Sequence, residues 1–131
     1  MKFAFLALVG LILLQTACRA DQDTPEGLLY QQVMDIHDEV MPQMKDIHQL
    51  RKKLRKIEGA ASNESIQDML LELQKADDQM MDWMADFKRP KEGDSNAMSY
   101  LNTEMSKIEK VRDNMLSTIA NGQEILQSYE K

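Results

Sequence analysis

Four side chains in one stretch of this sequence have the types and the spacing to hold a soft metal ion. His37, Met41, Met44 and His48 lie four, three and four residues apart. On an α-helix that spacing gathers them on a narrow arc. A second stretch, Ala76 to Met84, contributes Met80, Trp83 and Met84. Imidazole and thioether donors together suit Cu(I). A His–Met pair is also an axial set for haem, although the sequence has no C-x-x-C-H attachment motif. The same residues have a plainer use. Methionine fills irregular gaps in helical cores, and Trp83 is a natural packing anchor. A histidine at the edge of a core commonly bonds a neighbouring acid, here Asp38 or Glu39. Packing with no cofactor is therefore the first expectation. A copper site built from His37, Met41, Met80 and Met84 is the alternative.

Other chemistry has little to work with. The chain has two histidines and one cysteine. It lacks a nucleophile elbow, a phosphate loop, a metalloprotease signature and the Glu-x-x-His pairs of di-iron bundles. The expectation is a protein that is not an enzyme.

The elements that must position these residues are helices. Glu, Lys, Leu, Gln, Asp and Met dominate, aromatics are few, and glycine and proline are scarce. Thr24-Pro25-Glu26 reads as a helix start: a capping Thr, Pro in the first turn, then an acid. The first helix is expected to run to about Glu58 and stop at Gly59. Its apolar stripe is Leu29, Val33, Ile36, Val40, Met44, Ile47, Leu54 and Ile57, spaced by threes and fours. Pro42 removes a backbone donor and clashes with the preceding turn, so it should kink this helix. Ser62 or Ser65 is expected to open a second helix. Its heptad seam is Ile66, Leu70, Leu73, Asp77, Met80, Met84 and Phe87. Arg89 to Gly93 breaks it. A third helix, capped within Asp94 to Asn96, carries Leu101, Met105, Ile108, Arg112, Met115, Ile119 and Leu126.

Short loops make neighbouring helices antiparallel. The expected fold is an all-α, elongated, coiled-coil-like antiparallel three-helix bundle, roughly 40–50 Å long at 1.5 Å per residue. Folding the chain about Gly59 brings position 36 near 84 and 40 near 80. Folding about Gly93 brings 84 near 105 and 77 near 112. The first fold stacks His37 and Met41 against Met80 and Met84. The second places Asp77 opposite Arg112, each the only charge in its own seam, as a structural ion pair that could set register.

The first eighteen residues have the layout of a bacterial export signal. Lys2 is the positive region, Phe3 to Leu14 an uncharged apolar run, and Gln15-Thr16-Ala17 a short segment before Cys18. The run is shorter than the roughly 20 residues a membrane span needs, so it reads as cleaved. Leu14 to Cys18 resembles the lipobox of bacterial lipoproteins, with Gln15 where a leucine is usual. Lipid on Cys18 would also remove the only thiol from an oxidising compartment. That reading divides the chain into a signal peptide (1–17), a lipidated cysteine and tether (18–24) and a helical domain (25–131). Cleavage after Ala20 by a general signal peptidase is the competing route. The net charge of −6 argues against nucleic acid. Partners are then the membrane, through the lipid, and a protein or a second copy that the long amphipathic faces could take up.

The stretch Met34 to Met44, read with Ala76 to Met84, resembles a group of small bacterial lipoproteins that carry the inherited label "viral A-type inclusion protein". The resemblance covers the signal, the cysteine, the His-Asp-Glu-Val-Met-Pro segment and the Met-Met-x-Trp-Met segment. It implies a Gram-negative envelope lipoprotein with a coiled-coil-like helical domain, and it carries over no activity and no functional residue.

Overall fold

The computed structural model describes residues 24–130. The segments expected as signal peptide (1–17) and as lipidated cysteine and tether (18–23) lie outside the described residues. Every regular element is helical and no strand occurs among the described residues. Helix α1 spans Pro25–Val40, α2 Gln43–Leu54, α3 Glu64–Asp86 and α4 Ala97–Tyr129, with a 3-10 turn at Ala60–Ser62.

The first helix starts where its sequence says it must. Thr24 is extended (φ −84°, ψ 152°), and its hydroxyl accepts the Gly27 N–H at 3.0 Å. That satisfies one of the orphan donors of the first turn, and Pro25 next to it has no donor to lose. Pro42 then interrupts the helix between α1 and α2. Met41 and Pro42 keep right-handed helical dihedrals. The N–H groups of Met44 and Lys45 reach back only three residues, to Met41 and Pro42, at 3.2 Å each. The missing proline donor has turned α-type bonding into a tighter local turn.

α2 ends at Leu54, four residues before the expected Glu58. Lys56 and Ile57 also bond three residues back, to Lys53 and Leu54. The chain reverses through Gly59 at φ +76°, a left-handed conformation that glycine adopts without steric cost. The cap of α3 corrects the sequence expectation. Asn63, not Ser62 or Ser65, accepts the Ile66 N–H, at 3.2 Å. Ser62 is engaged elsewhere, donating its hydroxyl to the Gly59 carbonyl at 3.1 Å. Before α4, Asp94 accepts the Asn96 N–H at 2.9 Å.

α4 packs against α1, α2 and α3, and α3 packs against α2 as well. The core runs through all four helices, with Val33, Val40, Ile47, Leu54, Ile66, Leu73, Met80, Ile108 and Met115 wholly buried. Ile36, Met44 and Ile57 pack against its edge. The expected seam of α3 is inside at Ile66, Leu70, Leu73 and Met80, but Met69, Ala76 and Trp83 are buried too. A helix flanked on two sides buries a wider arc than one heptad seam.

Side-chain pairs show the offsets between helices. His37 meets Met84 and His48 meets Asp77, so numbers rise along α1 and α2 as they fall along α3. Trp83 meets Glu104, Gln79 meets Asn114 and Asn63 meets Tyr129, so numbers rise along α4 as they fall along α3. α4 passes close to its neighbours at Gly122. A Cβ there would lie 2.5 Å from Leu50 Cδ2 and 3.1 Å from Met69 Sδ. Gly122→Val should destabilise the fold by about 1–3 kcal/mol, because its side chain must push the buried Leu50 and Met69 out of their packed positions. A denaturant midpoint equal to wild type would show that α2 and α4 separate freely.

Candidate functional site

The dense chemistry of the molecule lies where the last turns of α1 meet the C-terminal half of α3 and the start of α4. His37 is carried by α1, Met80, Trp83 and Met84 by α3, and Glu104 and Lys107 by α4. The His37 side chain is 16% exposed. Its Nδ1 lies 2.8 Å from the Asp38 carboxylate and its Nε2 lies 3.3 Å from Met84 Sδ. The imidazole ring stands 5.8 Å from the Trp83 ring, tilted by 34°.

Trp83 is fixed on its other side. Its indole N–H donates to Glu104 Oε2 at 3.0 Å. Lys107 donates to Oε1 of the same carboxylate at 2.8 Å. Glu104 is 3% exposed, so both its oxygens are used inside the fold. The Lys107 ammonium is held above its ordinary range by this bond and by the Glu104 charge. Phe87 stacks on Trp83 at 4.8 Å, and Tyr30 and Tyr100 flank Phe87 at 6.0 and 6.2 Å. The Arg89 guanidinium lies 4.7 Å over the Tyr30 ring.

The structure brings together two members of the expected soft-donor set, His37 and Met84. The other two lie one helical turn further on. Met41 keeps its N–H bond to the His37 carbonyl and is partly buried against the core, and Met80 is wholly buried. His48, expected on the same arc, is on the surface with 58% of its side chain exposed, and pairs with Asp77 at 3.1 Å. The tighter winding at Pro42 separates its helix from that of His37. Among the described residues no cluster of three or more His, Cys, Asp and Glu side chains is arranged for a metal.

The expected Asp77–Arg112 ion pair is corrected. Asp77 takes His48, and the Arg112 Nε donates to Asp113 at 2.9 Å. That bond holds the Arg112 guanidinium above its ordinary range. Near this level Gln79 pairs with Asn114 at 2.7 Å. Asp77 therefore faces about position 116, one turn beyond Arg112. Counting residues about the loop misplaced the pair by that turn.

Two features escaped the sequence reading. Glu104 had a signal: it follows Leu101 by three residues and precedes Ile108 by four, so it lies on the apolar stripe of α4. The second is the run Arg51-Lys52-Lys53-Leu54-Arg55-Lys56 at the end of α2. Its five cations make no ion pair among the described residues, and Arg51 Nε is buried without a partner. In an acidic chain such a concentration is a surface of its own.

The chain matches no known family, no characterised protein and no solved structure.

Proposed function

We propose that this protein is a Gram-negative envelope lipoprotein, tethered through Cys18, whose helices form an antiparallel three-helix bundle acting as a structural or interaction module without catalysis. The export signal and the lipobox-like segment support the address, and the resemblance to small envelope lipoproteins agrees with it. The observation that carries the module reading is the separation of two features along α1 and α2. The tether enters at Thr24, and the unpaired cations lie at 51–56, about 30 residues on. That length of helix spans roughly 40 Å at 1.5 Å per residue. The bundle is thus a spacer that presents a basic face well away from the membrane, suited to an acidic protein partner.

Membrane fractionation tests the address. Cys18→Ser should move the protein from the membrane to the soluble fraction, and the mature wild-type mass should carry acyl chains. An unmodified mature chain beginning at Asp21 would overturn it and leave cleavage after Ala20 as the route.

A further inference from the structure

We propose that His37 Nε2 and Met84 Sδ, with the thioethers of Met41, at the cap of α1, and Met80, on α3, each one turn away, form a site for a single Cu(I) ion. The proposal goes beyond the envelope module and does not depend on where the protein is anchored.

The proton on His37 decides what its ring can bind. A carboxylate only accepts hydrogen bonds, so the 2.8 Å contact with Asp38 puts the imidazole proton on Nδ1. In the neutral ring Nε2 is then a bare lone pair. It faces Met84 Sδ at 3.3 Å, and a thioether sulfur has no hydrogen to give. In that form an imidazole nitrogen and a thioether sulfur, two soft ligand atoms, stand within contact distance of each other. A soft cation placed beside both would be held by the nitrogen and the sulfur together. The Asp38 contact is also of the kind that metal-bound imidazoles commonly make with their other nitrogen, orienting the ring.

The donor set selects the ion. Thioether and neutral imidazole favour soft Cu(I) over harder divalent ions. The short N···S separation suits a small bare ion touching both atoms from one side. Haem would need its axial ligands on opposite faces of the iron. Met41 and Met80 supply further sulfurs. Each is one helical turn from its partner, and methionine's three rotatable bonds let the sulfur swing to a shared point. His37 and Met84 are only partly buried, so an ion has a way in. Binding to thioethers displaces no proton, and none of these steps changes the oxidation state of copper.

Trp83 is the only tryptophan, its ring is 5.8 Å from His37, and Glu104 fixes its orientation. It should report binding directly. The test is an anaerobic titration of the detergent-solubilised mature protein with Cu(I), following Trp83 fluorescence, with X-ray absorption at the copper edge. The expected result is quenching that saturates at one ion per chain, with nitrogen and sulfur neighbours around the metal. Zn(II) should give no comparable response. Met84→Leu preserves volume and should abolish saturation at one ion. Asp38→Asn changes an exposed residue that the core does not need, and should weaken binding by about tenfold or more through the outer-shell bond. Absence of quenching, a response unchanged in both variants, or copper without sulfur neighbours would each overturn the site. Circular dichroism melting of both variants separates lost binding from lost fold.

Discussion

Trp83→Ala should cost about 3–5 kcal/mol of stability. Trp83 is 6% exposed and sits between the His37 and Phe87 rings. Truncation leaves a cavity where α1, α3 and α4 meet. It also strands Glu104 Oε2, which loses its indole donor in a place water does not reach. Trp83→Phe separates these two causes. It keeps most of the volume and removes only the donor, so it should cost about 1–3 kcal/mol. For a domain of this size each kcal/mol moves the melting midpoint by roughly 4–8 °C, and circular dichroism melts resolve the difference easily. Equal losses in the two variants would show that packing carries everything and the Glu104 bond nothing. A Phe variant as stable as wild type would show that Glu104 is satisfied another way.

Leu73→Ala should destabilise the protein by about 2–5 kcal/mol, while Leu71→Ala, two residues away, should stay within about 0.5 kcal/mol of wild type. Leu73 has no exposed surface and packs in the main core; Leu71 is 52% exposed. Both are leucines on the same helix. The contrast therefore isolates burial from helix propensity, which changes equally in the two variants. Denaturant unfolding of both variants at equal concentration is the measurement. A Leu73 variant with an unchanged midpoint would mean that α3 presents a different face to its neighbours.

The parts of this fold that were legible in the sequence share one property: they depend on residues close together in the chain. Apolar residues recurring by threes and fours marked the buried faces of all four helices, because a helix repeats every 3.6 residues. Thr24 capping α1, Pro42 interrupting it, and the turns at Gly59 and Gly93 follow from backbone chemistry within a few residues. The meeting of His37 and Met84 was also within reach, because the turn about Gly59 that folds α1 and α2 back along α3 is short.

The failures depend on where one helix stands against another. Asp77 was expected to find Arg112 and found His48, and Glu104 was passed over and became the buried anchor of Trp83. A polar side chain takes whichever partner its own turn happens to face, and a slip of one turn, about 5.4 Å, exchanges that partner for another. That offset is set by contacts such as Gly122 lying against Leu50 and Met69, far apart in the chain. Helicity, the turns between helices and the apolar stripe of each were written into neighbouring residues, since they are local consequences of period, capping and proline chemistry. Which charges pair and which carboxylate is buried depended on packing between helices, which no local rule encodes.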